Sequence, residues 1–237
     1  MILRYAKISS IMILLCTSAW ANDIFISQSG DDFKLEVQQR SENNSVYATV
    51  SGDNNDVTVR QGMHADGTLD GDETGGHEAI LSISGQNNTV ASYQTDENRG
   101  GGGGSDHYLN NSIIGDGNII SHTQRGKTGH DGKITIAGDD NTVTVLQRGN
   151  GGKNWSDIDL TGDGHTVTHT QRGGGGATGS MDLTNSGGSY TIDVTQNSSS
   201  WQSYSLTGSC ANTNGCSVTV TQNLNREGES SWKALNY

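Results

Sequence analysis

The chain of 237 residues contains 34 glycines, no proline, three cysteines and a formal net charge of −12. So acidic a composition argues against nucleic acid as a partner and against stable insertion into an anionic membrane. Fewer than one residue in five is Leu, Ile, Val or Phe, which is typical of disorder, but the regular order of these residues along the chain argues against that class.

Residues 1–21 have the pattern of a secretory signal peptide. Arg4 and Lys7 supply the positive start, residues 8–16 form an apolar run, and residues 19–21 read Ala-Trp-Ala, a typical cleavage site. The apolar run is too short to span a membrane. We therefore predict export, with a mature chain that begins at Asn22.

A short unit explains the rest of the chain, and its clearest copy is residues 134–147, ITIAGDDNTVTVLQ. Aliphatic and small polar residues alternate on both sides of a Gly-Asp-Asp-Asn tetrapeptide. The alternation predicts two half-buried strands, and the tetrapeptide predicts a tight turn between them. One such unit is too small to be stable alone.

The unit recurs as a glycine followed nine residues later by a glutamine. The six pairs are Gly30/Gln39, Gly52/Gln61, Gly85/Gln94, Gly115/Gln124, Gly138/Gln147 and Gly162/Gln171. Two copies with longer turns, residues 181–196 and 204–222, end at Gln196 and Gln222. Eight repeats with glutamines 22 to 33 residues apart predict one repeat domain over residues 22–222, with loops between repeats. Residues 223–237 form a tail without a full repeat.

The closing glutamine has the same parity in its strand as the aliphatic residues, so it faces the core with them. A buried amide is costly unless it is paired. Identical glutamines about 4.8 Å above and below would pair as a ladder, and the turn asparagines can do the same, at Asn55, Asn88, Asn118 and Asn141. The prediction is an all-β, amyloid-like β-solenoid with two facing, parallel, in-register sheets.

Two residues before the turn, a second inward column is predicted. Its members are Gln28, Val50, Ile83, Ile113, Ile136, Leu160, Leu183 and Leu206. The remaining cysteines of the mature chain, Cys210 and Cys216, predict a local disulfide that staples the last expanded turn, with a metal-binding pair as the weaker alternative.

Two sets of ionisable residues allow a structural and a functional interpretation. Aspartates follow the turn glycine at Asp53, Asp116, Asp139 and Asp163. Stabilisation of the turn is the favoured interpretation, and a column that binds cations is the alternative. His122 and His169 fall in inward columns, where they predict either neutral, satisfied core histidines or a pH-dependent assembly.

No catalytic motif, cofactor-binding loop or metal-ligand spacing is present in the sequence. We therefore expect no enzyme, no catalytic residue, no metal and no cofactor. A polysaccharide-acting β-helix enzyme and an ice-binding solenoid with outward threonine rows are the weaker alternatives.

The Gly-x-x-Asn turn and closing glutamine, at a period near 22 residues, resemble the curlin repeats of bacterial curli, the functional amyloid fibres of cell surfaces. This resemblance implies a secreted structural subunit that polymerises with itself and other curli-like subunits, is exported through an outer-membrane channel, and meets nucleator or accessory proteins. Long loops, extra repeats and the predicted disulfide leave a minor or nucleating role open. A monomeric β-solenoid adhesin is the second interpretation.

Overall fold

The computed structural model describes residues 10–15, 22–40, 43–62, 76–96, 106–149 and 154–172, together with short strands beyond residue 172. For residues 10–15 and most of the strands beyond residue 172, the description is of the backbone. Cys210 and the tail after Asn223 lie outside the described residues, as does the side chain of Cys216, so the disulfide stays a prediction.

Strands form wherever the alternating pattern runs, and a glycine-led turn separates the two strands of each of the first six repeats. The strands are β1 Ser10–Leu15, β2 Asp23–Ser29, β3 Lys34–Gln39, β4 Ser45–Ser51, β5 Asp56–Gln61, β6 Glu78–Ser84, β7 Thr89–Thr95, β8 Tyr108–Ile114, β9 Ile119–Arg125, β10 Ile134–Ala137, β11 Thr142–Arg148, β12 Ile158–Thr161, β13 Thr166–Arg172, β14 Ala177–Thr178, β15 Met181–Thr184, β16 Tyr190–Asn197, β17 Gln202–Ser203, β18 Leu206–Gly208 and β19 Cys216–Asn223. No helix that could cross a membrane is present among the described residues.

The strands are divided between two main sheets, which we call sheet A and sheet B. Sheet A has the order β1-β3-β5-β7-β9-β11-β13-β16-β19, and sheet B has the order β18-β15-β12-β10-β8-β6-β4-β2. Strands β14 and β17 pair separately. A rung is one strand of sheet B, its turn and the next strand of sheet A, so the first rung is β2 and β3. This arrangement confirms the predicted fold class.

Neighbouring strands in both sheets are parallel and in register. In sheet A, Gln147 lies opposite Gln124 on one side and Gln171 on the other. In sheet B, Ile136 lies opposite Ile113 and Leu160. Register is strongly specified because a shift of one residue would turn the aliphatic side chains to solvent.

One predicted column is wrong at its last member. Leu206 lies opposite Met181, and Gly208 lies opposite Leu183, so Leu206 stands two residues away from the column to which we assigned it. The prediction counted back from Gly208 as if it were the turn glycine. In the observed register Gly208 itself stands at the column position, opposite Leu183.

The core is a single layer of aliphatic side chains between the facing sheets. Sheet A contributes residues such as Val57, Val90 and Ile120, and sheet B contributes residues such as Leu81 and Ile113, all at most 2 % exposed. Branched side chains suit this environment because they pack well on a pleated surface. Four polar columns lie within or beside this layer in the described residues.

Candidate functional site

The closing glutamines form a continuous ladder of side-chain hydrogen bonds inside the core. Each Nε2 donates to Oε1 of the glutamine in the following rung. The distances along Gln39, Gln61, Gln94, Gln124, Gln147 and Gln171 are 2.9, 2.9, 3.2, 3.0 and 3.0 Å. All six residues are at most 1 % exposed. Buried amides of this kind are tolerated because each one satisfies its neighbour.

The same Nε2 groups also close each rung across the core. Gln61 Nε2 donates to the backbone carbonyls of Ser45 and His77 at 3.0 Å each, and Gln94 Nε2 donates to those of Glu78 and His107. Because Nε2 is surrounded by carbonyl oxygens, the orientation of the amide is determined by its hydrogen bonds. The ladder therefore has a direction, with donors pointing toward the C-terminal end of the solenoid.

At its N-terminal end the ladder ends in an unused acceptor. Gln39 donates to Gln61, but Gln39 Oε1 is buried and has no hydrogen-bond partner in the described part of the chain. At the other end, the backbone register places Gln196 opposite Gln171 and Gln222 opposite Gln196. The predicted glutamine column thus runs in register through sheet A.

The turn asparagines form a second ladder, whose hydrogen bonds along the column run in the opposite direction, from the following rung to the preceding one. The backbone N–H of Asn88 donates to Oδ1 of Asn55 at 3.0 Å, while Asn55 Nδ2 donates to the carbonyl of Gly85 at 2.8 Å. The pattern repeats through Asn118 and Asn141. It ends at His165, whose N–H donates to Asn141 Oδ1 at 2.8 Å.

The turn geometry explains why a glycine leads each of these repeats. Gly115 has a φ of +127°, and a Cβ atom there would overlap the carbonyl oxygen of Gly138 in the next rung. The third turn position is left-handed as well, at φ +57° in Asn54 and +56° in Asp140. Asn, Asp and Gly are the residues that adopt this conformation most easily.

The turn aspartates form a third ladder, whose hydrogen bonds run in the same direction as those of the glutamines, from one rung to the following one. Asp53 Oδ1 accepts the backbone N–H of Asp31, Asp139 Oδ1 accepts that of Asp116, and Asp163 Oδ1 accepts that of Asp139, each at 2.8 Å. Gln86 N–H donates to Asp116 Oδ1 at 2.7 Å. One oxygen of each carboxylate is therefore engaged with the preceding rung, which favours the turn-stabilising interpretation of this column.

A further ladder, which lies one to four residues before the first six sheet B strands, was not predicted. Its members are of two residue types, and we call them the start column: Asn22, Asn44, His77, His107, His130 and Asn154. Each side-chain acceptor takes the backbone N–H of the next member, at 3.0, 3.1, 3.4, 3.1 and 3.2 Å in order. Asn Oδ1 and His Nδ1 are both attached to Cγ, so they place an acceptor at the same point. This shared atom is the signal that could have revealed the column from sequence.

The histidines of the start column stack and face a buried carboxylate. The ring centroids of His77 and His107 are 4.9 Å apart, and those of His107 and His130 are 5.0 Å apart. His107 Nε2 lies 3.3 Å from Asp96 Oδ1, and Asp96 is fully buried. Burial is the main cause that lowers the pKa of His77 to about 3, so this ring is neutral at physiological pH.

His77, Asp96 and His107 have ligand atoms within 4.8 Å of one another, as a metal site would require. The hydrogen bonds argue against a metal at this position. Nδ1 of both rings accepts a backbone N–H, so Nε2 is the nitrogen that carries a proton in each ring. A metal would need the lone pair of that same nitrogen. The arrangement instead suits two N–H donors that face a carboxylate.

His122 and His169 are buried in the inward column to which we assigned them. His122 Nδ1 lies 3.3 Å from Asn111 Oδ1, and His169 Nδ1 lies 3.0 Å from Ser156 Oγ. Burial lowers the pKa of His122 to about 4, and burial together with the charge of His122 lowers that of His169 to about 3. These geometries fit neutral histidines with polar partners.

Comparison with known proteins identifies the repeat. Residues 34–62 and 138–173 match the family model of the curlin associated repeat. No curated protein and no solved structure matches the chain significantly. The first matched segment contains the Gly52 turn with its closing Gln61, and the second contains the Gly138 and Gly162 turns with Gln147 and Gln171. The chain therefore contains curlin associated repeats, the repeats of curli fibre subunits, in these two segments.

Proposed function

We propose that this chain is a secreted structural subunit that self-assembles, end to end, into curli-like amyloid fibres at the cell surface. The two segments of curlin associated repeats support a fibre subunit. The signal-peptide pattern of residues 1–21 supports export. By analogy with the family, an outer-membrane channel and accessory or nucleating subunits are its expected partners, and adhesion within a biofilm matrix is its expected role.

The observation that carries the proposal is the repetition of one set of hydrogen bonds at every step of the solenoid. Within the molecule, Gln94 receives from Gln61 and donates to Gln124. Among the turn asparagines, Asn88 receives from Asn118 and donates to Asn55. A second copy stacked on either end would meet groups of the same kind in the same register. Templated strand addition therefore needs no surface other than the ends of the solenoid.

The charge of the chain fits a subunit that must stay soluble before it assembles. The turn aspartates form a row of carboxylates along one edge, outside the core. Like charges on exposed positions slow unwanted association in transit, as gatekeeper residues do. Once the core ladders extend between copies, these exposed charges cost little because they stay in water.

The experiment is to incubate the purified chain that begins at Asn22 with an amyloid dye, with and without preformed seeds. The expected result is a lag phase that seeds abolish, together with a fibre reflection at about 4.8 Å along the axis, which is the strand spacing. A chain that stays monomeric at high concentration, with seeds present, would contradict the proposal. That outcome would favour the monomeric adhesin.

A further inference from the structure

The segment Ser10–Leu15 lies on the N-terminal edge of the solenoid in the register of a rung. Strand β1 pairs in parallel with β3, with Ser10 opposite Lys34 and Leu15 opposite Gln39. The rungs of sheet A pair in the same way, for example Lys34 opposite Asp56 and Gln39 opposite Gln61. The backbone of β3 is thus occupied by a segment that belongs to no repeat.

The side-chain ladder is not continued by this segment. Leu15 stands where every rung has a glutamine, and a leucine has no N–H in its side chain to offer. Gln39 Oε1 consequently lacks a hydrogen-bond partner although the residue is only 1 % exposed. An unused acceptor in so dry a position indicates that the natural neighbour of β3 is a strand with a glutamine opposite Gln39.

The last rung of another copy has that strand. Following the register through sheet A, the residue that aligns with Gln39 in β19 is Gln222. The direction of the glutamine ladder is compatible with this contact. Each Nε2 donates toward the C-terminal end of its own molecule, so Gln222 of the neighbouring copy would donate to Oε1 of Gln39. Strand β19 carries no charged residue, so it would bring no like charge against Lys34 or Glu36.

The sheet B half of the same end is incompletely covered. Ile24 and Ile26 pack on the core but are only partly buried, whereas their partners Val46 and Ala48 in the next rung are at most 1 % exposed. In the register of sheet B, β18 of a second copy would place Leu206 over Ile26.

From these observations we propose that the first rung is the acceptor surface for the last rung of a second copy, and that residues 10–15 act as a placeholder strand on that surface. The placeholder satisfies the backbone of β3 but not Gln39, so it holds the edge weakly. Removal of residues 1–21 opens the edge, which ties the ability to assemble to export. This inference rests on the proposed self-assembly. It adds which end of one copy contacts which end of the next, and what prevents that contact before export.

The test compares elongation of seeded fibres by the full chain, produced without export, and by the chain that begins at Asn22. The full chain should elongate about tenfold more slowly, because the placeholder strand must leave first. Equal rates would overturn the placeholder while leaving self-assembly intact. A chain from Asn22 that forms no fibre would instead contradict the proposed function itself.

A matched pair of variants of the full chain tests the role of Gln39. Leu15→Gln supplies the missing donor and should slow elongation by about a further tenfold, the ratio expected for one buried hydrogen bond. Leu14→Gln lies opposite Gln38, off the ladder, and should leave the rate of the full chain unchanged. Equal effects of the two variants would overturn the inference.

A variant at the other end tests the partner. In the chain that begins at Asn22, Gln222→Leu should reduce elongation by about tenfold through loss of the donor to Gln39. Thr221→Leu, which aligns with Gln38, is its matched control. Equal elongation rates for these two variants would exclude Gln222 as the donor.

Discussion

The side-chain N–H of Gln147 donates to Oε1 of Gln171 over 3.0 Å, and both residues are fully buried. A polar ladder inside the core specifies which rung is adjacent and in which direction, information that aliphatic packing alone does not carry. The first prediction concerns this ladder.

Replacing Gln124 with Leu should destabilise the chain by about 1–3 kcal/mol, because Oε1 of Gln147 and the carbonyls of Tyr108 and His130 all lose the hydrogen bond that Gln124 donates. Urea unfolding of freshly purified monomer measures this change. Gln86→Leu is the control, since Gln86 is an exposed turn residue. Equal midpoints for the two variants would show that the glutamine column does not stabilise stacking.

The second prediction concerns the turn glycines. Gly115→Asn should destabilise by roughly 2–5 kcal/mol, because any Cβ there meets the Gly138 carbonyl and φ is +127°. Gly164→Asn should change stability by less than about 1 kcal/mol, since its φ of +70° suits Asn and nothing lies within 4 Å of its Cβ position. Thermal unfolding distinguishes the two variants, and a Gly115 variant as stable as the Gly164 variant would contradict the turn geometry.

The third prediction concerns pH. Burial lowers the pKa of His122 to about 4 and that of His169 to about 3, whereas the unfolded chain binds the same protons near pH 6.5. Stability should therefore be full above about pH 6.5 and fall toward pH 4, by about 1.4 kcal/mol per pH unit for each histidine.

Urea midpoints between pH 7.5 and pH 4.5 measure this slope. His169→Val matches Val145 and Val194, its neighbours in the column, and should reduce the slope. A slope unchanged in this variant would mean that other groups carry the pH dependence.

The fourth prediction concerns the aspartate column. Asp139→Asn keeps an acceptor for the Asp116 N–H and should change stability by less than about 0.5 kcal/mol, while Asp139→Ala should cost about 1 kcal/mol. Added Ca²⁺ should leave the melting temperature of the unaltered chain where it is. A rise on adding Ca²⁺ that Asp139→Asn abolishes would support the cation-binding alternative.

Much of this architecture follows from the period of the sequence. The alternation of aliphatic residues determines the two sheets, and the shared parity of Gln147 with Val143 and Val145 places the amide inside. The register is predictable because only one alignment keeps every aliphatic side chain in the core. The error at Leu206 arose where the turn is expanded and its glycine no longer marks the same step.

Other features were beyond periodicity. The start column mixes Asn and His, which look unrelated until their acceptor atoms are seen to occupy one position. The direction of the ladders depends on which amide atom faces which neighbour. This direction cannot be predicted from the composition. The pairing of Ser10–Leu15 with β3 could not be predicted from a segment that reads as an export signal.

In the described rungs up to Asn154, each connection leaves sheet A at or just after a closing glutamine and re-enters sheet B at the start column, as between Gly62 and Gly76. Their lengths vary while the register does not. The connections therefore leave the solenoid along a single edge at a regular interval, which equals the spacing between neighbouring strands. A peptide grafted into these connections would be displayed at a pitch set by the backbone alone, whatever its own sequence.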